Sequence, residues 1–371
     1  MLTRDQPAAE DVARRIHGYG KVRPQAEPMQ QERREDAANI RYGSDEAGLL
    51  SGYVFNPDEP GRDIGSTAAC DVIASHDSSA SGAFVWLHFN LANKASGRWL
   101  SQRLQLPEAF YTILGNRGST RVEVADDVIV AVINDVTLFG LDASTVSSMA
   151  LCLGRRMMVT ARHTPLRSVS RLRESVVAGE TFHSAIELFA HLLRDQADVL
   201  TQIVREATTQ VDHIEDALLT HDVAATRTQL GAFRRALVRL QRLLAPEPAA
   251  LFRLLNRPPG WIATPDMTSL RQSAEDLAAA VADCMALVER VRLLQEEVVA
   301  IVNERTSQTL FVLTVVTVMA LPLTIIPGLF GMNVGGVPFR DSGAGFWSIA
   351  VLLAAFTVIG AFRVFGKHRQ P

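Results

Sequence analysis

Cysteine is scarce in this sequence, and the three present, Cys70, Cys152 and Cys284, lie far apart with no CxxC pair. Odd in number and scattered, they argue against a disulfide framework and read as reduced core residues of a cytosolic domain. An excess of one charge is lacking too: 37 basic and 40 acidic residues leave a net charge of −3. A nucleic-acid arm would be one-sidedly basic, so no nucleic-acid partner is expected. Before about residue 305 there is no apolar run of the roughly 18 residues a membrane helix needs. The first forty or so residues hold no hydrophobic h-region, so no cleavable leader is expected. P-loop, nucleophile elbow, paired catalytic carboxylates and dinucleotide fingerprint are all missing, which argues against an enzyme.

Charge is missing altogether from Thr309 to Asn333. As a helix, the first ~22 residues of this stretch would span roughly 33 Å, the thickness of a bilayer's hydrocarbon core. A second apolar run, Phe346 to Phe362, follows closely. Two membrane spans are therefore expected, at 306–333 and 346–365, joined by an outer loop at 334–345 and followed by a tail at 366–371. Arg363, Lys367 and Arg369 follow the second run, whereas the loop carries Arg340 beside Asp341. The basic excess belongs on the cytoplasmic side, so both termini are expected inside a multi-pass protein of the plasma membrane.

Upstream, residues 1–48 are polar and mixed in charge and read as a mobile tail. Residues 49–180 alternate short β-like runs with helical patterns. Strands are expected at 52–55, 83–89, 121–124, 128–136, 147–153 and 157–161, and helices at 93–104, 107–116 and from Thr164 to about Val177. Residues 181–305 form a long-helix portion: helical patterns run from Thr181 to about Thr220 and from Ala224 to about Leu244, and after the break at Pro258-Pro259-Gly260 a third begins near Thr264-Pro265. Leu277, Val281, Cys284, Val288 and Val291 form a heptad seam on the last of these helices, and no breaker separates that seam from the apolar run. One stalk helix of ~60 residues is expected to enter the bilayer, and such a stalk needs partners, so an oligomer is expected. The fold class is α+β: an α/β layer, long helices, and a stalk running into two C-terminal spans.

Three clusters are candidates for further chemistry. Arg155, Arg156, Arg162, Arg167, Arg171 and Arg173 form a basic run without interleaved aromatics, read as a solvated or subunit-facing surface rather than a phosphate or nucleic-acid site. Asp212, His213 and Asp216 gather carboxylates and an imidazole near one helix face, without HxxxH or HExxH spacing. Either a regulatory metal site or a solvated helix end fits them. Glu296 on the stalk reads either as an inner ring in an oligomer or as an ordinary salt-bridging residue.

Within the first span, Thr317, Leu321, Thr324 and Gly328 share one side, and Leu310 with Leu313 or Thr314 continues it downward. Helix–helix contact and a pore both call for such a stripe. With no intramembrane carboxylate, histidine or cysteine, a cation crossing here would travel largely hydrated.

Pro322-Leu323-Thr324 followed by Gly328-Leu329-Phe330-Gly331-Met332-Asn333 resembles the signature of the CorA superfamily of divalent-cation channels and transporters. Val334-Gly335-Gly336-Val337-Pro338 looks like its zinc-transporter (ZntB) branch, with fainter support from Trp86-Leu87-His88 and Pro258-Pro259-Gly260-Trp261. The resemblance implies a homopentamer with a funnel-shaped cytoplasmic domain in the bacterial inner membrane. It implies an Asn333 ring at the outer mouth, a turn shaped by Gly331 and Met332, and Gly328, Thr324, Leu321, Thr317, Leu313 and Leu310 facing the axis below. No permanently bound cofactor is implied, only a transported divalent cation, Zn2+. The sequence departs from the magnesium branch, where an acidic residue tends to follow the signature; Gly335, Gly336 and Val337 stand there, leaving Asn333 and Asp341 to capture the ion.

Overall fold

The structure, a computed structural model, describes residues 44–74, 82–115, 120–137, 146–219, 223–330 and 345–367. Most of the expected N-terminal tail, Gly331, Met332, Asn333 and the outer loop with Asp341 lie outside the described residues. Two compact units emerge, one of residues 1–213 and 232–290, the other of 214–231 and 291–371.

The first unit is built on a seven-stranded sheet in the order β2-β1-β3-β7-β6-β5-β4. Its strands are β1 (Leu49–Phe55), β2 (Arg62–Asp63), β3 (Phe84–Asn90), β4 (Arg121–Ala125), β5 (Val128–Val136), β6 (Val146–Gly154) and β7 (Met157–Arg162). β3 and β7 pair in parallel and all other pairings are antiparallel. Alternation along each strand sorts side chains between two faces. Val85, Leu87, Phe89, Val130, Cys152 and Val159 meet α1 (Ser66–Ala74), α2 (Lys94–Arg103) and α3 (Glu108–Gly115) through Ala69, Leu100 and Phe110. The opposite face carries Tyr53, Phe55, Trp86, His88, Thr160 and Arg162, and is covered by α4 (Arg167–Val177) and the segment leading into α5 (Ala185–Leu219). There Phe182 meets Phe55 edge-on at 5.7 Å. Each such fully buried aromatic or leucine contributes about 1.5–3 kcal/mol relative to exposure.

Local chemistry sets the boundaries. Asn93 caps α2, its side chain accepting the Ala95 N–H. The β4–β5 hairpin turns on Asp126 and Asp127, both at positive φ (50° and 63°), the geometry that two-residue hairpins need and Asp tolerates. Gly48, at φ +81°, has a second reason to be glycine: an added Cβ would lie 2.0 Å from Ser96 Oγ.

Beyond α5 come α6 (Val223–Leu244), α7 (Pro246–Asn256), α8 (Thr264–Phe330) and, after the undescribed loop, α9 (Gly345–Lys367). In the first unit α5 and α8 run parallel. Ser184 Oγ donates to Asp266 at 2.8 Å near the start of both, and Arg290 pairs with Asp212 at 2.7 Å nearly 30 residues further along α5. The seam residues Leu277, Val281 and Cys284 are buried here within a single chain, so the seam by itself does not demand an oligomer. Its expected member Val288 is only half-buried; Leu287 takes the inner place. In the second unit Val291, Leu294 and Val298 of α8 are buried, as are Ile214 and Leu230.

Two helices were not expected. α1 is short and rich in small residues, so no apolar stripe announces it. α7 opens on Pro246 with Pro248 close behind; in a first turn, where the N–H has no helical partner, proline is tolerated.

Candidate ion pathway

The C-terminal part of α8 continues the stalk without interruption through Phe330. Among the described residues it is the one helix long and apolar enough to cross a membrane, and none of its most apolar window is buried. Leu310, Leu313 and Leu321 are 58%, 61% and 56% exposed, and Phe311, Val312, Val316, Val318 and Ile325 on the other sides are exposed as well. One stripe, Val315, Met319, Pro322 and Ile326, is half-covered; a helix apolar on every side with none of its apolar window buried is not the core helix of a soluble protein, and its solvent is lipid or other copies of the helix. α9 adds a shorter apolar stretch, Ala350–Ile359.

Thr317, Thr324 and Gly328 are exposed with the leucines of the same stripe. Each threonine in this segment directs its hydroxyl proton back into its own helix. Thr314 donates to the Leu310 carbonyl at 2.8 Å and Thr317 to that of Leu313 at 2.8 Å. Thr324 Oγ1 lies 3.0 Å from the Leu321 carbonyl and 3.3 Å from that of Ala320. The oxygens therefore turn acceptor lone pairs outward, suited to the protons of an ion's hydration water. Pro322 and Pro327 have no N–H to give, which withdraws the helical hydrogen bond from the carbonyls of Val318 and Leu323. An added Cβ on Gly328 would meet nothing within 4 Å in this chain.

Among the described residues no group of three or more His, Cys, Asp or Glu side chains is arranged to hold a metal. Asp212 is paired with Arg290. His213 and Asp216 are exposed on α5. Glu296 accepts from Arg292 Nε at 3.1 Å one turn earlier on α8. The fold equips two other histidines. His183 stands between Glu187 at 3.1 Å from Nδ1 and Asp58 at 3.2 Å from Nε2. His191 stands between Asp195 and Glu180, each at 3.2 Å. The carboxylates lie at opposite ring nitrogens, so both nitrogens act as donors and the ring is suited to protonation, not to a metal. The hydrogen bond to Glu187 raises the pKa of His183, and that to Asp195 raises the pKa of His191 against the effect of burial. The i, i+4 spacings were visible in the sequence; the partners Asp58 and Glu180 were not.

Buried carboxyls complete the polar inventory. Asp135 accepts from Ser168 Oγ at 2.6 Å and Ser168 N–H at 2.9 Å, tying α4 to β5, and burial pushes its pKa up to about 6. Glu247 of α7 accepts the Asn134 N–H at 2.5 Å and Gln196 Nε2 at 2.6 Å, joining α7, β5 and α5; burial raises it to about 8.

Residues 81–368 match the family described as CorA-like Mg2+ transporter protein. The divalent cation transporter CmaX of Pseudomonas aeruginosa is 27% identical over 319 residues, 83% of this chain and 93% of its own. The zinc transport protein ZntB of Pectobacterium atrosepticum is 22% identical over 270 residues, 72% of this chain and 82% of its own. The solved structure of full-length CmaX aligns with a TM-score of 0.71 at 25% identity, covering 88% of this chain and 99% of its own. The CorA magnesium transporter from Methanocaldococcus jannaschii aligns with a TM-score of 0.70 at 17% identity, over 86% and 98%, which is a likeness of fold. These relatives are transporters rather than enzymes. With an α/β domain feeding one long helix that emerges bare and uncharged, and a family match covering most of its length, the chain belongs to the CorA-like Mg2+ transporter family.

Proposed function

We propose that this chain carries zinc inward across the bacterial inner membrane as a homopentamer, through a central pore lined by the 306–333 span. The 346–365 span surrounds it, both termini lie in the cytoplasm, and the 49–305 portion forms a funnel below. The observation that carries the reading is the uncovered, uncharged face Leu310, Leu313, Thr317, Leu321, Thr324, Gly328, whose threonine oxygens present lone pairs. Five copies around an axis would give rings of acceptors for a hydrated cation. Stripping a small divalent ion of its water is costly, and this span has no charged ligand to compensate, so contacts go through the hydration shell. Asn333 forms the outer ring on this reading, with Gly331 and Met332 shaping its turn and Asp341 the nearby acid. Zinc is supported by the ZntB relatives and by the Gly335-Gly336-Val337 loop.

Flux into proteoliposomes holding the purified full chain tests it, ion by ion. Asn333→Ala is expected to abolish zinc flux. Thr324→Val, which removes one ring of acceptors but keeps the shape, is expected to lower flux about tenfold, roughly the worth of one net hydrogen bond. Zinc flux no greater than in empty liposomes would overturn the zinc reading. A magnesium, cobalt or nickel channel of the same superfamily is the second reading, its magnesium form favoured by the family description. Magnesium flux exceeding zinc flux in the same vesicles would put it first. A pH gradient of either sign tests proton linkage; flux indifferent to both excludes it.

A further inference from the structure

The basic run from Arg155 to Arg173, expected at the surface, sends one member inside. Arg162 closes β7 and is only 6% exposed. Its Nε–H donates to His88 Nε2 at 2.8 Å, which places the imidazole proton on Nδ1. Nδ1–H then donates to Thr160 Oγ1 at 2.8 Å; Trp86 Nε1–H donates to the same oxygen at 3.0 Å, and Thr160 turns its own proton toward the Leu87 carbonyl at 3.4 Å. Every member of this buried chain is thereby used. His88 stays neutral, because burial and then the charges of Arg162 and Arg173 hold its pKa well below the usual value.

What is left over is the outer half of the guanidinium. Among the described residues, Arg162 has no carboxylate within ion-pair distance, and its terminal nitrogens have no hydrogen-bond acceptor. Those nitrogens are also not among the fully sealed unpaired atoms, so an opening reaches them. A second cation stands close: Arg173, exposed on α4, acts on Arg162, on His88 and on the Tyr53 hydroxyl. Arg173 is thus within electrostatic reach of Arg162 and His88; the nearby acid, Asp63 on β2, acts on the Tyr53 hydroxyl rather than on Arg162. The position is the carboxyl end of the sheet's one parallel pair, β3 and β7, where open sheets with parallel strands take their ligands.

We propose that Arg162 and Arg173 form a binding site for a small oxyanion of the phosphate class, seated between the end of β7 and α4. A planar guanidinium held edge-outward by His88 presents parallel N–H groups to two oxygens of one anion. A dianion matches two arginines in charge where chloride or a single carboxylate does not. The anion's source is either free phosphate or the phosphoryl group of a small metabolite.

Equilibrium dialysis of radiolabelled inorganic phosphate against the full chain in detergent, at constant ionic strength, tests this. Saturable binding of one phosphate per chain is expected. Arg162→Gln should abolish it. Arg173→Gln, at an exposed position with no packing role, should weaken it about tenfold, as loss of a charge-assisted contact would. Should Arg162→Gln fail to fold, Arg173→Gln decides. Displacement of phosphate by AMP identifies a phosphorylated metabolite as the ligand, and failure of AMP to compete identifies free phosphate; both keep the site. No saturable binding at millimolar phosphate, including the case where a neighbouring subunit's carboxylate occupies Arg162, overturns the proposal. Equal affinity in wild type and Arg173→Gln does the same.

Discussion

Thr160→Val removes one oxygen from the middle of the sheet and keeps the side chain's shape. In the native structure that oxygen accepts two buried donors, Trp86 Nε1–H and His88 Nδ1–H. Neither has an escape. Trp86 is fully buried, and His88 is 3% exposed. The imidazole cannot move its proton to Nε2 without losing the Arg162 Nε–H that points there. Two orphaned buried donors at ~1–3 kcal/mol each give a destabilisation of roughly 2–6 kcal/mol. Thr160→Ser keeps the oxygen and loses one methyl group, about 1 kcal/mol. At about 2–4 °C per kcal/mol for a unit of this size, the valine variant should melt roughly 4–24 °C below wild type and the serine variant about 2–4 °C below. Tryptophan fluorescence during thermal unfolding of the full chain in detergent reads this directly, since Trp86 reports on its own partner. A valine variant as stable as the serine variant would refute the reasoning, because valine restores the methyl and lacks only the hydrogen bonds.

Other outcomes follow from the same geometry. His191, bracketed by Asp195 and Glu180, has a folded pKa above its ordinary 6.5, so its contribution is fully present below pH 6.5 and fades as pH rises through the folded pKa. From about pH 5.5 to 8.5 the wild type should therefore lose more melting temperature, or gain less, than His191→Gln; the remaining pH dependence belongs to His183, Asp135 and Glu247, whose raised pKa values lower stability as pH rises, and to buried His88, whose lowered pKa opposes them. Identical slopes would remove His191 from the account. Gly48→Ala should cost about 1–3 kcal/mol, since it adds a Cβ at positive φ against Ser96 Oγ, which itself donates to the Asn90 carbonyl at 2.7 Å. Adding Ser96→Ala to that variant should recover part of the loss in the same melting assay by removing the clash.

Much of the α/β layer was legible before any coordinates. The six expected strands and the helices from residue 93 onward recur within a few residues, because alternation and 3.6-residue periodicity reflect burial on one face of a locally regular chain. The stalk was equally plain, its seam running into an apolar stretch without a breaker, and α8 spans Thr264–Phe330 as one helix. α7 fell between the expected helical patterns, opening on a proline that a first turn tolerates. The stripe on the first span was visible as spacing; that its threonines direct their protons inward needed the helix itself.

By itself, then, the sequence determined the order of the elements, the long helix, and the uncharged span with the Gly331-Met332-Asn333 ending that marks the family. Those properties are local, written in periodicity and in the thickness of a bilayer. Tertiary structure alone decided which polar groups meet. Asp58 reaches His183 across 125 positions of sequence, and Arg162 finds His88 across 74. Arg162 looked like its basic neighbours in the run. Only the pairing of β7 beside β3, with α4 laid over that face, turned it inward and left half its charge without a partner.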